Sequence, residues 1–187
     1  MGYADRFVMS LGASTLQDDA QHHAAEPLAA AALADLTGAG FGALLTRVKY
    51  ADGSISKLFE SGTQNLAQLL RLWSNLVAEK GAQRRWIKIR AEWDIATAPK
   101  FYKRVAERSL AHWLDGKCKA CHGTGVVGRL SCGTCQSTGI AEVTGGGFER
   151  EKVLDMVSEL EGYLQAHNAR AACRLRETFV ESAKPGL

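Results

Sequence analysis

A mostly α-helical fold carrying one small inserted cysteine-rich module is what the sequence predicts, and three observations predict it. Apolar residues recur at steps of three and four through most of the chain, the spacing that lines one face of a helix. A glycine-rich stretch contains two Cys-x-x-Cys pairs, Cys118/Cys121 and Cys132/Cys135, in a chain that has only five cysteines. Apolar residues make up 46% of the composition, enough for a hydrophobic core. No apolar run reaches the roughly eighteen residues that span a bilayer, because the alanine-rich stretch 24–34 is interrupted by Glu26 and Pro27.

The elements follow in chain order. Residues 1–22 show weak periodicity and read as a flexible acidic arm. A helical domain then spans 23–116. Pro27 suits the first turn of a short helix that stops at Thr37-Gly38-Ala39-Gly40, and 41–50 leans helical ahead of the turn signal Ala51-Asp52-Gly53-Ser54. From Thr63 the residues Leu66, Leu69, Leu70, Trp73, Leu76 and Val77 mark an amphipathic helix ending near Gly81. A second helix is expected over 83–96, with Trp86 and Trp93. A third starts at Pro99 and presents Phe101, Val105, Leu110 and Trp113. The cysteine module occupies 117–143. After the breaker Gly145-Gly146-Gly147, helices at 148–165 and 168–180 form a C-terminal section, 148–183, expected to pack on the helical domain.

Two Cys-x-x-Cys pairs separated by ten residues match what a tetrahedral thiolate site for Zn²⁺ requires. Each pair can turn both sulfurs toward one ion, while glycines permit the tight turn and backbone amides bond to the sulfurs. The second unit, Cys132-Gly133-Thr134-Cys135-Gln136-Ser137-Thr138-Gly139, repeats the first, Cys118-Lys119-Ala120-Cys121-His122-Gly123-Thr124-Gly125, with Ser137 in place of a glycine. Four cysteine ligands close the coordination shell, so one structural Zn²⁺ is expected and metal-based hydrolysis is not. A disulfide framework and a thioredoxin-like redox pair are the rivals. The opening Met1-Gly2-Tyr3-Ala4-Asp5 lacks a secretion signal, which makes a cytoplasmic, reducing setting the expectation. A redox pair needs only one such motif, at a helix N-terminus. Cys173 reads as an ordinary buried or half-buried thiol, and His122 as a surface residue beside the metal.

Net charge is only +3, but it is unevenly placed. Residues 1–36 hold five acids against Arg6. Residues 80–108 hold nine bases, Lys80, Arg84, Arg85, Lys88, Arg90, Lys100, Lys103, Arg104 and Arg108, against Glu92, Asp94 and Glu107. Such a segment is either a solvated helix face or a contact for a polyanion. Trp86 and Trp93, at helical spacing, read as core more readily than as base-stacking platforms. Candidate nucleic-acid contacts are Arg84, Arg85, Lys88 and Arg90, the module residues Lys117, Lys119 and Arg129, and the helical Arg170, Arg174 and Arg176.

Catalytic motifs are not evident. His22/His23 have no neighbouring ligands, and Gly145-Gly146-Gly147 lacks the strand and the Gly-Lys-Ser ending of a phosphate loop. No Ser/His/Asp or paired-acid arrangement rises above composition, so no enzyme and no small-molecule substrate are expected.

The wording Cys118-x-x-Cys121-x-Gly123-x-Gly125 followed by Cys132-x-x-Cys135-x-x-x-Gly139 resembles the zinc repeat of DnaJ-type cochaperones, but the J domain's His-Pro-Asp and the four repeats of that family are missing. It also resembles the late-gene antitermination proteins Q of lambda-like bacteriophages, which carry a single two-unit module after a helical segment. Residues 60–140 match their order of elements. That resemblance implies a protein of the bacterial host cytoplasm that binds double-stranded DNA near a late promoter. It would then modify paused host RNA polymerase so that it reads through pauses and terminators. The alternative is a cochaperone-like module that binds protein.

Overall fold

The computed structural model describes residues 2–11, 25–35, 40–51, 61–88, 90 and 92–182. The His22/His23 pair, the stop at Gly38 and the turn at Asp52–Ser54 lie outside them, as does the side chain of Phe179. The architecture is mostly helical: α1 (Tyr3–Leu11), α2 (Ala25–Asp35), α3 (Phe41–Thr46) running into a π-turn (Arg47–Ala51), α4 (Ser61–Gln83), α5 (Glu92–Leu114) and α6 (Gly147–Ser182). Between α5 and α6 lies a two-stranded antiparallel hairpin, β1 (Val126–Val127) and β2 (Leu130–Ser131), with Val126 opposite Ser131 and Val127 opposite Leu130. No helix among the described residues is long and apolar enough to cross a membrane. The chain divides into two compact units, 1–69 with 162–187, and 70–161.

In the first unit, Tyr3 and Phe7, one helical turn apart on α1, pack with Ala30, Ala31, Ala34, Ala171 and Leu175. The segment expected to be a flexible arm therefore begins with a docked helix. The small alanine faces of α2 and α6 offer the shallow surface its two aromatic rings need. Gly40 (φ 76°) precedes α3 and has no side chain to cap it. Asp35 does so from the end of α2, accepting from the Ala43 amide at 3.0 Å. The same carboxylate lies 3.2 Å from Nδ1 of His167, which is fully buried. A Cβ on Gly42 would lie 2.4 Å from the imidazole Cγ, so only glycine lets α3 approach it. Beside it the Thr46 hydroxyl sits 3.0 Å from Gly42 O and 3.1 Å from Asn168 Oδ1.

These anchors accompany a continuous α6 where two helices were expected: His167, in the expected break, and Asn168, the expected start of the second helix, meet Asp35 and Thr46. The apolar edge near its end is formed by buried Ala171 and Leu175, with Ala172 half-buried. Cys173, two residues from each of the buried pair, points away and is exposed, correcting the expected burial.

The second unit ties α4, α5 and α6 together pairwise. Trp73, Val77, Val105, Leu110, Val153, Met156 and Leu160 are buried. Trp73 Nε1 donates to Ser109 Oγ at 2.9 Å, and Trp113 Nε1 to Glu161 Oε2 at 3.0 Å. Gly81 does not stop α4, which runs to Gln83. A Cβ there would meet Tyr102 Cε1 at 2.5 Å, so the glycine serves close packing of α4 on α5. Of the helix expected over 83–96, residues 92–96 are helical but belong to α5, which begins at Glu92, before Pro99, while Arg84 and Arg85 (φ 51°) form a turn after α4.

Burial lowers the pKa of His167 below its ordinary 6.5, opposed by the Asp35 carboxylate and reinforced by Arg170. The unfolded chain thus takes up a proton that the fold resists, so this contribution to stability is present above pH 6.5 and is lost as the pH falls through the folded value. The urea midpoint is expected to drop more between pH 7.5 and 6.0 for the native chain than for His167→Gln. Equal drops would show that His167 carries none of this dependence.

Candidate metal centre and its basic surroundings

The last turn of α5 leads directly into the cysteine module. Ala141 N donates to Gly116 O at 2.8 Å, and Lys117 bridges Ile140, closing the base of the module. Inside it, two knuckles repeat each other with a constant offset of fourteen residues. Gly123 N bonds to Cys118 O and Thr124 N to Cys121 O, at 3.2 and 3.0 Å; Ser137 N bonds to Cys132 O and Thr138 N to Cys135 O, at 3.2 and 3.1 Å. Each threonine hydroxyl also donates to its cysteine carbonyl, at 2.7 Å for Thr124 and 2.6 Å for Thr138. The knuckles exchange bonds reciprocally: Cys132 N donates to Gly125 O at 2.9 Å and Cys118 N to Gly139 O at 2.8 Å. The module therefore has an internal pseudo-two-fold relation that places the four sulfurs at its centre.

Cys118 Sγ lies 4.0 Å from Cys132 Sγ, and Cys121 Sγ 3.7 Å from Cys135 Sγ. All four sulfurs fall within 4.8 Å of one another, and all four cysteines are buried. These separations far exceed a disulfide bond of about 2.05 Å. They suit a tetrahedral shell, in which metal–sulfur bonds of about 2.3 Å leave sulfurs roughly 3.8 Å apart. Gly125 N and Gly139 N donate to the sulfurs of Cys121 and Cys135 at 3.2 and 3.3 Å. Neither glycine tolerates a Cβ, which would sit 2.3 Å from Ser137 O or 2.4 Å from Gly123 O.

Burial opposes thiolate formation at Cys121, but the Gly125 and Gly123 amides outweigh it and bring that thiol down to about 6. At Cys135 burial dominates and the neighbouring sulfurs reinforce it, so that thiol is pushed up to about 11 despite the Gly139 amide. Four sulfurs this close cannot all carry charge without a cation among them. The residues therefore fit one metal ion held by Cys118, Cys121, Cys132 and Cys135.

His122 is exposed beside the centre (φ 51°), as expected. Lys117, Lys119 and Arg129 are exposed around it. Sequence reasoning did not single out the apolar surface of the same module, where Val126, Val127, Leu130 and Ile140 are all exposed. The short alternation of this hairpin gives no periodicity that separates it from a buried strand.

The basic segment is sorted by its partners. Lys80 bonds to Glu159 at 2.9 Å, and Arg84 grips both Asp155 and Glu159. Lys80, and after it Arg84, hold the Glu159 carboxyl below its usual range against burial. Arg104 and Arg108 reach Glu149 at 3.6 and 2.8 Å, and Lys103 lies 3.8 Å from Glu107. Of the nine bases, Arg85, Lys88, Arg90 and Lys100 remain exposed and without a carboxylate partner among the described residues. Arg84 thus belongs to the link between α4 and α6. Elsewhere, Arg170, Arg174 and Arg176 are all exposed; Arg170 donates to Ala34 O at 3.4 Å and Arg176 to Ala172 O of its own helix.

Fold and centre together define a helical protein with an inserted four-cysteine module that could hold one metal ion. Comparison with protein-family models, curated proteins and solved structures finds no match to the chain.

Ser137 occupies the place of Gly123 in the second knuckle and takes φ 68°, a left-handed conformation that costs a side chain about 1 kcal/mol. Ser137→Gly is expected to leave metal stoichiometry unchanged and to raise the unfolding free energy of the metal-loaded protein by up to about that amount, seen as a higher denaturation midpoint. A lower midpoint would mean that the serine side chain makes a stabilising contact.

Proposed function

We propose that the protein is a transcription antitermination factor similar to the Q proteins of lambda-like bacteriophages, with one structural Zn²⁺ in the four-cysteine centre. The observation that carries this reading is the order and chemistry of one stretch. A turn bearing basic side chains without carboxylate partners among the described residues leads into α5, and α5 runs straight into a single two-knuckle centre. In this proposal Arg85, Lys88, Arg90 and Lys100, with Lys117, Lys119 and Arg129, face the phosphates of double-stranded DNA. Arg170, Arg174 and Arg176 form a second basic helix surface. Host RNA polymerase is the partner to which the DNA-bound protein is delivered.

Zinc is the metal of choice because a closed shell of four thiolates favours a borderline-soft ion without redox demands. The exposed Val126, Val127, Leu130 and Ile140 favour a second reading, a module that holds an apolar peptide in the manner of a cochaperone.

One zinc per chain is expected in native mass spectrometry, and Cys121→Ser is expected to lose both the metal and the folded module. A reduced preparation that takes up no zinc would overturn the assignment. Anisotropy with labelled duplex DNA is expected to show binding at low salt. With about seven phosphate contacts, affinity falls by more than about a thousandfold between about 50 and 200 mM salt. Transcription past a terminator by host polymerase should rise when the protein is added. Absence of duplex binding at low salt would defeat the antiterminator reading, and salt-insensitive binding of apolar peptides would favour the second.

A further inference from the structure

Trp86 and Trp93 lie seven residues apart, yet their surroundings are opposite. Trp86 is half-buried: its ring is 6.1 Å from that of Tyr102, it packs over Gly81, and Lys152 Nζ lies 5.8 Å from its centroid. It anchors the turn that follows α4. Trp93 is 68% exposed and Ile95 59% exposed, and α5 first reaches the core at Ala98. The first turn of α5 is nevertheless fixed. Asp94 Oδ2 accepts from Arg90 N at 2.8 Å, and Thr97 Oγ1 donates to Trp93 O at 2.7 Å.

Along the chain the exposed indole is flanked by cations that have no carboxylate partner among the described residues. Arg85, Lys88 and Arg90 precede it on the anchored turn, and Lys100, seven residues further along α5, shares its helix face. Against them stand Glu92 and Asp94, the latter engaged in capping the turn. An apolar surface awaiting a protein partner has no need of such an excess of positive charge, whereas a polyanion does. In a duplex the flat faces of the bases are already stacked on one another, so an indole has no face to meet. Unpaired bases offer that face, and base–aromatic stacking beside a basic track is how single strands are held without sequence readout.

We propose that this turn and the start of α5 bind a single strand of nucleic acid, one unpaired base stacked on Trp93 and the adjoining phosphates on Arg85, Lys88, Arg90 and Lys100. The inference rests on the preceding functional reading only in taking a nucleic acid as partner; the strand bound is a different one.

The test uses the full zinc-loaded chain and three labelled probes at low salt: oligothymidylate, oligouridylate and a blunt DNA duplex. Trp93→Ala is expected to weaken binding of one or both single strands roughly tenfold, with Trp93→Phe recovering most of the loss and duplex binding changing less than about twofold. The single strand more affected identifies DNA or RNA as the source of the unpaired base. Arg90→Glu should weaken all probes that bind. Because Trp93 is exposed, both of its variants should keep the native circular dichroism spectrum. Single-strand binding that is absent, unchanged by Trp93→Ala, or lost equally with duplex binding overturns the stacking role. If duplex binding persists in that case, the antiterminator reading stands without it. If single strands bind through Trp93 but no duplex binds, the inference stands and the antiterminator reading falls.

Discussion

Four sulfurs held within 4.8 Å of one another are the constraint on which the cysteine module depends. The module has almost no other core. Its strands are two residues long, its apolar side chains Val126, Val127 and Leu130 face outward, and the cluster buried at its centre consists of the four cysteines. So small an apolar area cannot offset the entropy of ordering two glycine-rich turns. A metal ion shared by four thiolates can, because its binding energy becomes folding energy. The reciprocal bonds from Cys132 N to Gly125 O and from Cys118 N to Gly139 O make each knuckle the support of the other. Loss of a ligand in one is therefore felt in both.

The module is mounted on a charged framework. Glu149, Asp155 and Glu159 of α6 take up Lys80, Arg84, Arg104 and Arg108, bases that look free along the sequence. Exposed pairs of this kind contribute little stability individually, but they decide which cations can meet a ligand. What remains is a short basic tract from Arg85 to Lys100. The phosphate-binding surface inferred for the second unit is thus narrower than the 80–108 charge excess, and it lies on the chain just ahead of the metal centre.

What could be read from sequence was what is local. Cysteine spacing and glycine placement specify the knuckles because their determining contacts, the bond from Cys118 N to Gly139 O included, all lie within one short stretch of chain. The stripes Leu69–Trp73–Val77 and Val105–Leu110–Trp113 are legible because helical period and burial coincide. The misreadings share a different origin. Gly81 looks like a helix stop, yet its reason is Tyr102; the chain looks broken at His167, just before Asn168, yet Asp35 and Thr46 lie beside these two residues. Arg84 and Asp155 are seventy-one positions apart, and no pattern along the chain pairs them. The α1 helix was hidden for the same reason, since Tyr3 and Phe7 gain their meaning only against the alanines of α2 and α6.

Pro99 shows how the exposed start of α5 arises. A proline inside a helix removes the amide that would bond to the carbonyl four residues earlier, here Ile95, and costs about 3 kcal/mol in a helix interior. Were the helix to begin at Pro99, that cost would vanish, because first-turn amides have no intrahelical acceptor. Instead the helix extends seven residues upstream, with Asp94 on the Arg90 amide and the Thr97 hydroxyl on Trp93 O. None of those residues before Ala98 is buried. Packing within the unit therefore does not account for the extension. What the extra turns accomplish is to present an exposed indole on a capped helical turn, directly after the stretch that carries the half-buried Trp86.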